Sequence, residues 1–180
     1  LTRKQRKVLI EAFENAGLSQ YLTKTSNLDG LKETVDIGEE VWENGACERG
    51  RIIDEFINEH LLGKGLGTNF PVADRVVDRT LVSTKSLDIA AQSYQNPSKL
   101  RSMLNKYAND LNDIEINYFK GQDYLKWGDT TLRKSQYNGR KALEIVLPDT
   151  IITNNALKVL NEFKLEMEEA GMEVWYRIVE

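Results

Sequence analysis

The segment from Asn69 to Asp88 constrains the fold more than any other. Two runs of strand-forming character, Val72 to Val77 and Thr80 to Lys85, are separated only by Asp78-Arg79. Two intervening residues predict a tight hairpin turn. In that register Val77 faces Thr80 and Asp74 faces Ser83. Facing residues of an antiparallel pair share a side, as do residues two apart on one strand. Asp74, Ser83 and Lys85 are therefore expected on one face. A carboxylate beside a lysine on a sheet face can hold a metal ion and orient a water.

Apolar spacing predicts helices over residues 2–16, with Val8, Leu9, Ala12 and Phe13 inward, and over Arg51 to Leu62, with Ile52, Ile53, Phe56, Ile57 and Leu61 inward. A further helix is expected from Leu31 to Trp42. Gly63, Gly65 and Gly67 read as a hinge, because a nucleotide-binding glycine loop needs a strand before it and a helix after it. Asn96-Pro97 marks a helix start. Short strands are expected around Asp123 to Trp127 and Thr131 to Tyr137, and Asn138-Gly139 is a hairpin turn signal. The chain then reads as strand (Leu143 to Leu147), helix (capped at Thr153 or Asn154) and strand (Val174 to Val179). The whole is a mixed α/β domain.

The 180 residues suffice for one sizeable domain. The expected division is a helical N-terminal segment, 1–48, and a main domain, 49–180. The first segment reads as a linker, an entry segment or part of the fold itself. No apolar run is long enough to span a membrane. The opening Leu1-Thr2-Arg3 lacks an initiator Met, which suggests a piece of a longer protein or an expression product. Cys47 is alone, so neither an internal disulfide nor a cysteine metal cluster can form. The net charge of −4 is unevenly spread. Arg49 to Lys141 holds 15 Lys+Arg against 11 Asp+Glu, net +4, and the rest holds 9 against 17, net −8. A basic middle between acidic ends suits a nucleic-acid-binding face, and equally suits scattered solvated charges.

The candidate chemistry starts at Asp74, which can ligate a hard cation or simply pair with Arg75 or Arg79. Lysine is depleted in strands, so Lys85 is there either to stabilise a developing phosphate charge or to guard a sheet edge. Ser83 can hydrogen-bond a bound water or satisfy the sheet face. One carboxylate binds Mg²⁺ or Zn²⁺ weakly, so a second is sought on the preceding helix at Asp54 or Glu55. His60, the lone histidine, reads as a surface or packing residue. Thr150 to Asn155 can bind phosphate at a helix N-terminus or merely cap the helix.

Three runs in order carry a resemblance: Arg49-Gly50-Arg51-Ile52-Ile53-Asp54, then Gly67-Thr68-Asn69-Phe70-Pro71 to Asp74, then Ser83-Thr84-Lys85-Ser86-Leu87-Asp88. With Ser93-Tyr94-Gln95-Asn96 and the late strand–helix–strand, they resemble the C-terminal nuclease toxins of contact-dependent growth inhibition and related polymorphic toxin proteins, over roughly Arg49 to Glu180. The resemblance implies the PD-(D/E)xK restriction-endonuclease-like fold, a mixed central sheet flanked by helices. It implies a secreted or surface-delivered larger protein, action in the target-cell cytoplasm, and a cognate immunity protein. Immunity in such toxins can pair with an exposed hairpin strand, here expected within residues 123–147. The helix acid falls on Asp54, with Glu55 beside it, the strand aspartate on Asp74, and the serine and lysine on Ser83 and Lys85. The wider superfamily carries an acid where Ser83 stands, and usually a glutamate where Asp54 stands.

A divalent metal (Mg²⁺, Mn²⁺ or Zn²⁺) at Asp74 and Asp54 or Glu55 is then implied. Arg49, Arg51, Arg75, Arg79 and Lys99 are candidates to grip a nucleic-acid backbone. DNA is the preferred substrate. The alternatives are a toxin that cuts transfer RNA on the same fold, and a non-catalytic module that binds nucleic acid or protein.

Overall fold

A computed structural model describes residues 3–17, 19–60 and 63–180. Its elements are α1 (Arg3–Asn15), β1 (Leu22–Lys24), β2 (Leu31–Val35), α2 (Ala46–His60), β3 (Lys64–Gly65), β4 (Arg75–Val77) and β5 (Thr80–Ser86). After these come α3 (Pro97–Asn112), β6 (Tyr124–Trp127), β7 (Thr130–Arg133), β8 (Lys141–Pro148), β9 (Ile151–Thr153), α4 (Asn154–Glu169) and β10 (Met172–Val179). Six strands form one mixed sheet in the order β2-β10-β8-β5-β4-β3. Strands β2, β10, β8 and β5 run parallel, whereas β4 and β3 are antiparallel additions. Two small pairs, β1 with β9 and β6 with β7, stand apart.

Strand alternation divides the core. Leu81, Leu143, Ile145, Leu147, Val174, Tyr176 and Ile178 pack against Leu100 and Leu104 of α3 and Leu160 and Phe163 of α4. Val146 and Val179, on the opposite surface, pack against Ile53 and Ile57 of α2 and against Trp42. The sheet is thus covered by helices on both sides, as its continuous apolar strand β8 requires.

Several expectations need correction. The segment expected as a helix from Leu31 holds strand β2, parallel to β10. Leu31 and Val35 lie four apart, which mimics helical spacing. However, Gly30 (φ 65°) and Gly38 (φ 103°) bracket a stretch too short for a stable helix, and the open flank of β10 favours a strand. The N-terminal segment is therefore not purely helical: β2 belongs to the central sheet and Leu28 to its core. Helix α1 forms, but Val8 and Leu9 of its expected inward stripe are exposed; the Phe13 side chain lies outside the described residues, as does Leu61. The glycine segment read as a hinge contributes β3, paired with β4. Asn138-Gly139 is a turn with positive φ at both residues, but it leads into β8, and the hairpin turn is Gly128-Asp129 instead.

Other local signals hold. Asn96 Oδ1 accepts from the backbone N–H groups of Ser98 (2.9 Å) and Lys99 (3.3 Å) at the start of α3. Thr153 Oγ1 accepts from Ala156 N–H at 3.1 Å, so this end of the Thr150 to Asn155 stretch serves as a helix cap. Among the described residues, no helix is long and apolar enough to cross a membrane.

Candidate active site

The hairpin forms with Val77 opposite Thr80, Val76 opposite Leu81 and Arg75 opposite Val82 as expected, but the strand expected from Val72 is shortened to Arg75–Val77 and the expected Asp74–Ser83 pair does not form. Asp78 and Arg79 both take positive φ (45° and 60°), the left-handed pair that a two-residue turn demands. Pairing then stops. Asp74 N–H donates to Val82 O at 2.9 Å, one residue short of the regular ladder, and this irregularity steers β4 away from β5. From Ser83 onward β5 is paired only with β8.

Side chains take over the freed backbone groups. Asp74 Oδ2 accepts the Thr84 N–H at 2.6 Å, and Ser83 Oγ donates to Val72 O at 2.6 Å. Val72 itself sits at φ 67°, a conformation costly for a β-branched residue, of the kind that clusters at functional sites. The carboxylate and the hydroxyl are thus fixed where the strands part. Lys85 follows, half-buried, and among the described residues its ammonium makes no hydrogen bond or ion pair.

Helix α2 supplies the second acid. Its inward residues Arg49, Ile53 and Ile57 place Asp54 half-buried beside Ile53. Burial first, and then the Asp74 charge, push the Asp54 carboxyl up to about 7 against the pull of Lys85 and Arg75. Burial also raises Asp74, opposed first by Lys85, then by the Thr84 N–H and by Arg75. Asp54, Asp74 and Lys85 therefore lie within one electrostatic neighbourhood.

Glu55, the alternative acid, points elsewhere. It is exposed and paired with Arg51 at 2.5 Å, and Arg51 also bonds Glu48. Arg49 and Arg75, expected to grip a backbone, are instead buried. Arg49 donates to Ser86 Oγ (3.2 Å) and lies over the Trp42 ring. Arg75 donates to Thr84 Oγ1 (2.9 Å) and Glu144 Oε2 (2.8 Å). Nothing local marks these two arginines as interior, because the side chains that bond them there, Ser86 and Glu144, are distant in the chain. Arg79, at the hairpin turn, and Lys99, in the first turn of α3, are exposed. His60 stacks on Phe56 at 4.1 Å, a packing role as expected.

Beneath the site lies a charge network that the sequence reading missed. Glu144 is fully buried and bonded by Arg75, Thr84 and Arg177. Burial, the largest influence, would raise its pKa, but the two arginines hold it below the ordinary glutamate value. A charged residue within Ala142-Leu143-Glu144-Ile145-Val146-Leu147 was the available signal, since a lone charge in an apolar run needs a buried partner.

The donor set fits a divalent cation. Burial raises the proton affinity of both carboxylates and the Asp74 charge raises that of Asp54 as well, and a hard cation between them would relieve this. Among the described residues no group of three His, Cys, Asp or Glu could hold a metal. Two carboxylates completed by water and substrate phosphate suit a catalytic cation better than a closed four-ligand structural site.

Asp54 makes stability and chemistry oppose each other. A carboxyl raised from 3.8 to about 7 stabilises the fold fully below pH 3.8, and that contribution is lost as pH rises to about 7. Asp54→Asn is therefore expected to stabilise the metal-free protein at pH 8 by about 1–3 kcal/mol, allowing for partial solvation. Thermal melts with chelator at pH 5 and pH 8 read this, with little gain expected at the lower pH. Cleavage should fall at the same time.

A family model described as a CDI toxin restriction endonuclease-like domain matches residues 49–177. The fold is similar to that of the CdiA-CT/CdiI toxin and immunity complex from Yersinia pseudotuberculosis, with a TM-score of 0.53 and 21% identity, over 71% of this chain and 98% of that chain. No curated protein matches the chain.

Proposed function

Because this chain belongs to the family of CDI toxin restriction endonuclease-like domains, we propose that it is a metal-dependent toxin DNase acting in a target cell. The observation that carries this reading is the convergence of two half-buried carboxylates and a lysine where β4 leaves β5. Asp54 and Asp74 would hold a divalent cation, Mg²⁺, Mn²⁺ or Zn²⁺, which when bound supplies charge neutralisation at the scissile phosphate.

The chain's own residues do the rest. Lys85, with no competing ion pair, orients the attacking water and offsets charge on the pentacovalent phosphate. Asp74 is held by the Thr84 N–H, so it enters the reaction already aimed. Ser83, tied to the Val72 carbonyl, keeps the strained loop in place and leaves its oxygen able to accept from a water. Asp54 must lose its proton to serve as a ligand, so activity should rise with pH through about 7.

Delivery would be as part of a larger surface protein, with a cognate immunity protein as partner. The match to a toxin–immunity complex supports that partner. The β6–β7 ribbon lies within residues 123–147 and pairs with no other strand, so its flanks suit strand addition.

Incubation of the protein with plasmid and with total RNA tests the reading. With Mg²⁺, Mn²⁺ or Zn²⁺ the plasmid should be cut, and chelation should abolish cutting. Cleavage of transfer RNA with intact plasmid would replace the DNase by an RNase on the same fold. Cutting undiminished by chelator would remove the metal.

A further inference from the structure

The β6–β7 ribbon has a second surface besides its strand flanks. Leu125 and Leu132 face each other across it and are buried, which anchors one face of the ribbon in the core. On the other face the facing pairs are Tyr124 with Arg133 and Lys126 with Thr131. All four residues are exposed. The Arg133 guanidinium lies 5.9 Å over the Tyr124 ring, which spreads the side chain flat along the ribbon. Trp127 at the tip is 48% exposed, an unusual place for a large aromatic ring.

The ribbon also stands beside the candidate site. A Cβ built on Gly67 would meet Thr130 Oγ1 at 3.8 Å, so the ribbon borders the loop holding Gly67. That loop is closed by Leu66 N–H donating to Asp74 O at 2.9 Å. The loop therefore runs from the ribbon's tip directly to the strand aspartate.

Charge selects the partner. Residues 120–141 hold Lys120, Lys126, Arg133, Lys134, Arg140 and Lys141 against Asp123 and Asp129. This is a net of +4 in a chain whose total is −4. Such a local reversal fits a polyanion. A two-stranded ribbon is also one of the shapes the major groove of a duplex admits. Each strand has four residues, a length of about 13 Å, comparable with the groove's width.

We propose that the exposed face of β6–β7 grips duplex DNA beside the cutting site, with Lys126 and Arg133 on phosphates. The proposal rests on the nuclease reading above. It assigns the substrate's main hold to the ribbon rather than to Arg49 and Arg75, which are interior.

The test is equilibrium binding of a short fluorescein-labelled DNA duplex to the full chain in chelator, across a salt series. Lys126→Gln/Arg133→Gln should weaken binding on the order of ten-fold at low salt. The slope of log affinity against log salt should become shallower by about 2, at about 0.9 per phosphate contact. Hydrolysis of a small chromogenic phosphodiester, which needs no distant grip, should stay within about two-fold of the parent. Unchanged affinity and slope would overturn the proposal. So would loss of immunity-protein binding with duplex binding intact, which would make this face a protein-docking surface only. If the parent chain neither binds duplex nor cuts it, the DNase reading itself fails.

Discussion

Lys85→Ala protein should fold like the parent yet cut DNA at least 10²–10³-fold more slowly. The fold should survive because the ammonium has no hydrogen-bond or ion-pair partner among the described residues, so truncation strands no acceptor. The half-buried stem is lost, at a cost of about 1 kcal/mol or less. The chemistry should not survive, for two reasons. The positive charge that offsets phosphate charge is gone. The same charge lowers the proton affinity of Asp54 and Asp74, so both carboxyls should move further upward without it. The acid limb of the pH–rate profile should accordingly shift to higher pH in any residual activity. Growth arrest on expression inside bacteria should disappear together with plasmid cleavage. Cutting by the Lys85→Ala protein at the parental rate would dismantle the site.

The second large effect concerns stability. Glu144→Gln should cost about 3–5 kcal/mol, the usual penalty for removing one member of a buried ion pair. Among the described residues Glu144 is the only carboxylate bonded to Arg75, a side chain with 2% exposure. Gln keeps an oxygen for Thr84 but leaves the Arg75 charge buried without a directly bonded counter-charge. Arg75 Nε already has no hydrogen-bond partner, so this guanidinium has little else to rely on. Arg177 loses the same partner but keeps Glu33 at the surface. Denaturant melts at pH 7 read the loss as a lower midpoint with an unchanged slope. Since Glu144 titrates below its ordinary value, its contribution is present above the ordinary carboxylate range and fades as pH falls. Parent and variant should therefore converge on acidification. Equal midpoints at pH 7 would mean that water or backbone movement solvates Arg75.

The contrast between Asp74 and Glu144 shows what a sequence carries. The hairpin was legible because it is local. Two residues between two strand-like runs leave one tight turn, and the register follows by counting. The Asn96 and Thr153 caps were legible for the same reason. The choice between Asp54 and Glu55 was not, because neighbours on a helix differ by about 100° in direction, and only the packing of Ile53 and Ile57 decides which acid turns inward. The interior placement of Arg49 and Arg75 depends on Ser86 and Glu144, residues 37 and 69 positions away. Strand β2 was misread because its character comes from β10, whose Val179 faces Val35 from 144 residues later in the chain, and not from its own pattern. The need for a second acid beside Asp74 pointed to the preceding helix, and the family resemblance added a preference for Asp54 over Glu55 there.

Strand β2 has one more consequence. It closes one border of the main sheet, running along Tyr176 to Val179. Trp42, just after it, lies under α2 and donates its indole N–H to the Val179 carbonyl at 3.3 Å. The region matched by the family model begins later, at residue 49. A module excised at that boundary would carry a bare, strongly apolar β10 flank, a template for sticking to other chains. The smallest unit that keeps this border covered therefore starts upstream of Leu31, and the stretch before residue 49 is its weatherproofing.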